Sequence, residues 1–586
     1  MEQGDRLTQD GGPKFSTSAL DIVDRFFVSR NDIAAGQERR AVRQGYLGCD
    51  LLRMRPTLIL FFTCASALIR AQVPTTEWLR TAGGFDQYTP NLSAIDPTGG
   101  IYTCAYGEDD RYFGSGITVS DTGFTIARYD PSGAIQWART LTTSSGTSAY
   151  VHSIATRSDG ELWVTGYFIS PTLTIDGFVL NNSSISAFLA RFDATGAAQF
   201  ATAWGDPFGN THARDVCTDA LDRVFVTGHT NAPSLTFGSI TVNNTAGGDQ
   251  MWALYLDSSG TPQWAVVSEA INGGAEGLCI ATNGTGEAFV ATRFNTSFTI
   301  GTESVSSGAT APAALVKLGQ DGQAEWMHLI ASCDPLDLTV DMNGNTYLCG
   351  DFQYEADFDG TVLTPSVLDG FVASYGLFGD FRWVTAVHGD IDNELCWSVE
   401  VDAAQTSLIV GGTFVISASF GGTVISTGTS PTDGFVMHMD TAGTVNWVKD
   451  MTGDGPTLFA EARMDAQDHI YAAGTTQSQT TYVQEPVENA SGNQAFLVRF
   501  GDLNTSSPSM QSEHGVSVYP NPSTGSFTVA LPTGTRIVVI EDALGRVQQQ
   551  FTPISRRASF TIEQPGVYFV VVVGTQGREV SRVVVR

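Results

Sequence analysis

DPSGAIQWA occupies residues 130–138, DATGAAQFA residues 193–201 and DSSGTPQWA residues 257–265. Each phrase sets a Gly three residues after an Asp and an aromatic four residues after the Gly. D-x-x-G reads as a type I turn whose last residue is left-handed. The Asp carboxylate accepts nearby backbone N–H groups, and Gly tolerates a positive φ. The aromatic then falls on the following strand. It recurs as Trp137, Phe200, Trp264, Trp326, Trp383 and Trp447, and Trp78 in TEWLRTAGG begins the same way with no turn before it. Successive gaps are 59, 63, 64, 62, 57 and 64 residues. A period near 62 is a repeat architecture, and the aromatics are its structural repeat positions rather than its chemistry.

Each unit has one grammar. An alternating strand such as HSIATRSDG leads through a turn to ELWVTGYF, whose counterparts are GIYTCAYG, DRVFVTGHT, EAFVATRF, NTYLCGDF, SLIVGGTF and HIYAAGTT. A variable stretch of roughly twenty residues follows, expected as loop. Then comes a strand of the SAFLARFD or DGFVMHMD type, and the aromatic phrase closes the unit. Four short antiparallel strands per unit predict an all-β, seven-bladed β-propeller. The last unit stops after AFLVRF (495–500) without an aromatic strand, and the strand carrying Trp78 is the surplus copy. The N-terminal strand is therefore expected to close the last blade; an open solenoid would instead need a cap. The units resemble the seven-bladed propeller repeats of secreted bacterial proteins, with their GxxYVTG, DGFVARYDxxG and W elements, over about residues 73–503. Two units depart: EAFVATRF lacks the Gly, and Leu254-Tyr255 stands where Ala-Arg is usual. The Asp-box of some glycan-active propellers, S-x-D-x-G-x-x-W, does not fit, because Asp130 and Gly133 are one residue too far apart and GQDGQAEW (319–326) also fails.

The chain of 586 residues carries a formal charge of -30. Phosphate contacts need clustered Lys and Arg, so nucleic acid is excluded as a partner, and anionic membranes are disfavoured for the same reason. Surplus acid suits a protein that must stay soluble after export. Residues 1–53 show scattered charge of both signs and no apolar period, and are read as an upstream extension outside the native protein. MRPTLILFFTCASALIRAQ then opens at Met54 with Arg53 and Arg55 beside an almost uncharged run from Leu58 to Ile69. That run is too short to span a bilayer and fits a signal peptide over 54–71, cleaved between Ala71 and Gln72, with Ala65-Ser66-Ala67 as a rival site. No later segment is long enough to span as a helix. The remaining cysteines, Cys104, Cys217, Cys279, Cys333, Cys349 and Cys396, form no CxxC pair. Zinc ribbons and thiol exchange thus lack support. Cys104 and Cys349 take equivalent strand positions as packed thiols, while Cys333 and Cys349 could bridge a hairpin.

A second domain follows the propeller of residues 72–503. GDLNTSSPSMQSEH (501–514) is polar and aperiodic, and residues 504–514 are read as a linker. Composition then changes sign: residues 72–514 hold 14 basic and 49 acidic side chains, residues 515–586 hold 7 and 4. Turns at Pro520-Asn521-Pro522, Asp542 to Gly545, Pro565-Gly566 and Gln576-Gly577 separate short strands, which predicts a small β-sandwich over 515–586. The module resembles the type A C-terminal sorting domain of the type IX secretion system of Bacteroidota. The likeness rests on Tyr519, Pro520, Asn521, Pro522, Gly525, Phe527, the Leu544-Gly545-Arg546 turn, Gly566 and Tyr568. It implies a signal-peptide route into the periplasm, then targeting by the secretion machinery to the cell surface or the medium, with release or surface attachment of the propeller.

No catalytic constellation is legible. The histidines are His152, His212, His229, His328, His388, His438, His469 and His514, with no HExxH and no GxSxG. DFQYEADFDG (Asp351, Glu355, Asp357, Asp359) and HGDIDNELC (Asp390, Asp392, Glu394) offer oxygens of the kind Ca²⁺ takes. Neither has EF-hand order, and both read as solvated acidic loops; DMNGN (341–345) reads as a repeat turn. No cofactor and no metal are expected. Tyr354 and Trp397 are candidates for stacking on sugars, with buried packing the favoured reading for both. The preferred function is a monomeric, non-enzymatic scaffold that binds an extracellular glycan or protein. The alternatives are a polysaccharide hydrolase or lyase with axial carboxylates, and a purely structural surface-layer role.

Overall fold

The computed structural model describes residues 73–85, 92–108, 110–144, 149–182, 184–272, 274–389, 393–426, 432–451, 455–477 and 493–501, and residues 517–586 apart from 520–522, 524, 531–534, 543–545, 553–556, 563 and 575–576. The upstream extension, the signal peptide with Ala71 and Gln72, the linker, Pro520 to Pro522 and Gly545 lie outside the described residues. The chain divides into two compact units, Met1–Leu503 and Asn504–Arg586.

The first unit is all-β. Four-stranded antiparallel sheets follow one another along the chain, each pairing its strands in sequence order. Sheet A comprises Leu92–Ile95, Ile101–Gly107, Gly123–Tyr129 and Ile135–Thr140. Sheets B to F repeat the plan, with leading strands Ala149–Thr156, Thr211–Thr218, Ala275–Thr282, Asp334–Val340 and Leu395–Val401. Sheet G joins Thr457–Met464, Ile470–Thr476 and Gln494–Phe500 to Thr76–Gly83 from the other end of the domain, with Trp78 opposite Arg499. The leading strand of each sheet lies against that of the next, and that of sheet G lies against that of sheet A. This is a β-propeller. Each sheet is covered on both faces by its neighbours, so its second strand is buried end to end, as in Ile101–Gly107 and Leu162–Phe168. Such strands read as continuous apolar runs, whereas the fourth strand, half in solvent, alternates.

The D-x-x-G phrase joins the sheets. In sheet A, Asp130 Oδ1 accepts the Ser132 and Ala134 amides at 2.9 and 3.0 Å, and Gly133 adopts φ 78°. The aromatic of one sheet lies on the turn glycine of the next. A Cβ on Gly196 would stand 2.8 Å from the Trp137 ring, one on Gly322 2.8 Å from Trp264, and one on Gly443 2.6 Å from Trp383. The indole N–H then donates to a carbonyl in that turn: Trp137 to Ala194 at 2.9 Å, Trp264 to Gln320 at 3.0 Å, Trp326 to Leu377 at 2.9 Å and Trp383 to Thr441 at 3.1 Å. The Trp78 ring of the N-terminal strand also lies on Gly133 of sheet A, where a Cβ would stand 2.9 Å from it, without the indole hydrogen bond.

The stretch between second and third strands, expected as loop, is a hairpin. Thr172–Ile175 pairs with Phe178–Asn181, Ser297–Ile300 with Glu303–Ser306, and Ser417–Phe420 with Thr423–Ser426. Consecutive positive φ values at the tips, Asp176 and Gly177 or Gly421 and Gly422, suit two-residue turns that match strand twist. Each of these hairpins also pairs with a strand leading out of the preceding sheet, as in Phe420 with Val387 and Leu173 with Thr143, so exposed edges are covered. Alternation over three or four residues is too short to announce such strands. Cys333 and Cys349 are buried free thiols rather than a bridge, as are Cys104, Cys279 and Cys396.

The second unit holds two antiparallel sheets. One is ordered Ser517–Tyr519, Ser526–Ala530, Arg557–Thr561; the other Val547–Phe551, Thr535–Asp542, Gly566–Gly574, Gly577–Val585. Phe527, Val529 and Phe560 of the first share one core with Val538, Ile540, Val570 and Val583 of the second.

Gly196→Ala forces a left-handed alanine against Trp137. It is expected to lower stability by about 1–3 kcal/mol, read as a lower urea midpoint with an unchanged slope.

Candidate functional site

Two groups of polar and aromatic side chains lie towards the axis of the propeller, on the leading strands and the second strands beside them. In sheets B to F each leading strand has one extra residue against its partner, at His152, Arg214, Leu278, Leu336 and Trp397. The partner strand supplies a glycine there because the leading strand's carbonyl comes in close. A Cβ would meet Tyr150 O at 1.9 Å from Gly166, His212 O at 1.9 Å from Gly228, Asp334 O at 2.0 Å from Gly350 and Leu395 O at 2.2 Å from Gly412. Sheet D, whose EAFVATRF lacks the glycine, places Thr292 there, and its hydroxyl donates to the corresponding carbonyl of Glu276 at 2.7 Å. The departure from the repeat is thus a substitution of a side-chain hydrogen bond for an open space.

Just past the extra residue sit Ser153, Asp215, Cys279, Asp337, Ser398 and Glu461. All but Cys279 turn a side-chain oxygen to the neighbouring leading strand. Asp215 Oδ2 accepts the Ile280 amide at 2.7 Å, Asp337 Oδ2 the Val399 amide at 3.0 Å, and Ser398 Oγ the Ala462 amide at 2.8 Å. Glu461 Oε2 accepts the Ser93 amide, joining sheet G to sheet A, and Ser153 Oγ donates to Asp215 Oδ1 at 2.6 Å. One position on, Glu400 Oε2 accepts the Met464 amide at 2.8 Å. Arg463 spans the group, 3.1 Å from Asp337 Oδ2 and 2.8 Å from Glu461 Oε1.

Three carboxylates, Asp337, Glu400 and Glu461, lie around one guanidinium, with Asp215 near Asp337, and in a desolvated place they cannot all ionise freely. Burial, assisted by the charge of Asp337 and only partly offset by the Ser153 hydroxyl, pushes Asp215 up to about 7. Burial likewise pushes Glu400 up to about 7 against the pull of Arg463, and raises Glu461. Burial works against the charge on Arg463, yet Glu461, Asp337 and Glu400 hold it protonated beyond its ordinary range.

At the N-terminal ends of the leading strands, and the C-terminal ends of the second strands paired with them, is a second group. Rings follow one another from Tyr150 to Tyr167 (4.9 Å between centroids), Tyr167 to His212 (4.2 Å) and His212 to His229 (4.5 Å), with His152 on Tyr167 at 5.4 Å. A chain of opposite charges continues it: Arg214 to Glu276 at 3.6 Å, Glu276 to Arg293 at 3.4 Å, Arg293 to Asp334 at 2.8 Å. Burial, with Arg214 adding to it, holds His152 and His229 neutral, and burial with His229 and Arg214 pushes His212 down to about 2. His152 Nε2, His212 Nδ1 and His229 Nδ1 have no hydrogen-bond partner. None of these residues was singled out from sequence, because the members lie on strands some sixty residues apart and no local spacing marks them.

The residues that were singled out are dispersed. Asp357 and Asp359 belong to the hairpin of sheet E, with Asp357 Oδ1 accepting the Gly360 amide at 2.6 Å. Glu394 is buried and accepts the Val415 amide at 3.3 Å, while Asp390 and Asp392 lie outside the described residues. Among the described residues no three His, Cys, Asp or Glu are gathered to hold a metal. Tyr354 is exposed rather than packed, and Trp397 is half-buried, donating to Thr413 Oγ1 at 3.3 Å. In the second unit, Gly525 adopts φ 117°, Phe527 is buried against Phe560, Arg546 pairs with Asp542 at 2.7 Å, Gly566 opens a strand and Tyr568 donates to Gln564 O at 3.0 Å. Tyr519 ends the strand Ser517–Tyr519.

Residues 517–586 match the secretion system C-terminal sorting domain. The protein is exported to the cell surface or the extracellular space, and its sorting domain engages the type IX secretion machinery. Over 119 residues the chain is 35% identical to an uncharacterised WD repeat-containing protein of Acanthamoeba polyphaga mimivirus, covering 19% of this chain and 8% of that one. The chain thus spans under a tenth of that relative. Solved structures similar to it include the Dos1 propeller (TM-score 0.31, 10% identity, 60% of this chain and 94% of that one) and a protein of unknown function from Dyadobacter fermentans (0.33, 8%, 72% and 99%). A third is the Mitotic Checkpoint Complex (0.29, 11%, 63% and 95%). No helix of the described residues is long and apolar enough to cross a membrane.

Asp215 carries a folded pKa above its unfolded one, so its protonation favours the folded state between about pH 4 and 7. Relative to Asp215→Asn, the wild type is expected to be most stable near pH 4 and to lose that advantage as pH rises towards 7. Urea titrations of both proteins across this range check it; a difference independent of pH would refute the shift.

Proposed function

We propose that the protein is an exported binding scaffold of Bacteroidota. Sheets A to G are the seven blades of a propeller over residues 72–503, closed by the N-terminal strand. Residues 515–586 are a β-sandwich that delivers it after a signal peptide over 54–71 is cleaved at Ala71-Gln72. The ligand is an extracellular glycan or protein, taken at the axial end that carries Tyr150, His152, Tyr167 and His212. The observation that carries this reading is the row of flat rings beside an ion-pair chain, in which the half-buried Tyr150 can stack on the apolar face of a sugar.

The second reading, a polysaccharide hydrolase or lyase, draws on Asp215 and Glu400, whose pKa values near 7 are those of acid–base groups. Against it, the Asp215, Asp337, Glu400 and Glu461 carboxylates are engaged by backbone amides of the next blade, which is the work of an inter-blade joint. A glycan and polymer array with the full chain, run beside a product assay on each hit, separates the two. Saturable binding without turnover is expected, and Tyr150→Ala should weaken it about tenfold, near 1.4 kcal/mol. Turnover abolished by Asp215→Asn would establish the enzyme instead.

A further inference from the structure

Away from the axis, sheet E carries an arrangement that neither reading uses. Its third strand, Asp369–Tyr375, pairs with its fourth, Phe381–Gly389, with Gly370 opposite Val387. One step further, Asp369 faces His388. Asp369 is fully buried, and its Oδ2 is hydrogen-bonded to His388 Nδ1. The other ring nitrogen, Nε2, lies 3.2 Å from Ser366 Oγ. The Ser366 amide donates to Asp369 Oδ2 at 3.2 Å, which holds the hydroxyl-bearing residue in place, and Asp369 Oδ1 has no partner. Hydroxyl, imidazole and buried carboxylate are thus joined in series. That is the geometry by which a serine is activated: a base within hydrogen-bond reach, itself oriented by a third group.

Sheet C shows what the position does without the relay. In sheet C the equivalent of Asp369 is Gln250. It is fully buried and spends its amide on the backbone, donating to Gly247 O and Ala270 O at 2.9 and 3.1 Å and accepting from the Ala270 amide at 2.7 Å. A buried polar residue here therefore ties down strand ends. Sheet E replaces the neutral amide by a carboxylate that turns to an imidazole, and that imidazole to a hydroxyl. The histidine side chain is 46% exposed and Ser366 is exposed, so a solute can reach both.

We propose that Ser366 is an activated nucleophile that cleaves short-chain carboxylic esters at this edge of sheet E, independently of the axial site. Ser366 Oγ attacks the ester carbonyl carbon as its proton passes to His388 Nε2. The tetrahedral adduct collapses, the carbon–oxygen bond to the alcohol breaks, and the alcohol leaves with that proton. Water then adds to the acyl-serine, His388 takes and returns a proton in the same way, and the carboxylic acid departs. Ester and water give acid and alcohol, with no other reactant. Asp369 is a positioning residue that fixes the imidazole orientation and stabilises its charge in transit. The exposed setting suits a small acyl group such as acetyl rather than a long chain.

The test treats the full chain with a fluorophosphonate probe and, separately, with p-nitrophenyl acetate, and maps labelled peptides by mass spectrometry. Ser366 is expected to carry the label, Ser366→Ala to lose it, and His388→Gln to label at least a hundredfold more slowly, with acetate release falling in parallel. Ser366 is exposed, so thermal unfolding of Ser366→Ala should match the wild type, while Gln at 388 keeps an amide N–H for the buried Asp369 carboxylate. A wild-type chain unlabelled at Ser366, or labelling that survives His388→Gln, would overturn the proposal.

Discussion

The propeller depends on a flat aromatic ring lying against a left-handed glycine one sheet away. Sheets stacked face to face slide easily, because apolar burial has no direction. The ring-on-turn contact supplies direction. Trp137, Trp264, Trp326 and Trp383 each bury a face on the next sheet's turn and aim an indole N–H at one carbonyl in it. Only glycine serves at that turn, because the backbone must be left-handed and a Cβ would stand inside the ring's contact distance. The ring-on-glycine part of this contact, made by Trp78 on Gly133, joins the last sheet to the first.

A second set of links works at the axis, where burying polar groups is costly unless each is satisfied. Glycine, or Thr292 in its place, lets the leading strand's carbonyl approach, and the carboxylates and hydroxyls past it reach the neighbouring strand's amides. The cost appears in the titration of Asp215 and Glu400, held partly neutral near pH 7. A single guanidinium, Arg463, compensates part of the remaining charge. Perturbed carboxylates of this kind mark strain in a joint as readily as they mark catalysis, and their amide partners assign them to the joint.

The two units of the chain are built on different terms. Delivery rests on the C-terminal unit, whose turn residues and shared core form one short module. The side chains that the repeat leaves free to vary are of another kind: the rings and charges of sheets B to E near the axis, and the Ser366–His388–Asp369 series on sheet E. Repetition fixes the frame while single sheets acquire their own chemistry.

The all-β class, the period, the aromatic–glycine phrase and the sorting module are legible along the chain. Each is written locally: a turn needs its glycine within four residues, and a strand buried on both faces needs an unbroken apolar run. The hairpins after the second strands escaped, since alternation over three or four residues is too brief to separate from loop. Only the tertiary structure decided which polar residues meet. Asp215, Asp337 and Glu461 come from strands separated by more than a hundred residues, yet their oxygens serve one ring of strands. Ser366, Asp369 and His388 lie within one unit, but a turn and two antiparallel strands must form before hydroxyl, imidazole and carboxylate face each other. Spacing along a chain encodes neighbours on one element; it carries no record of the register between two.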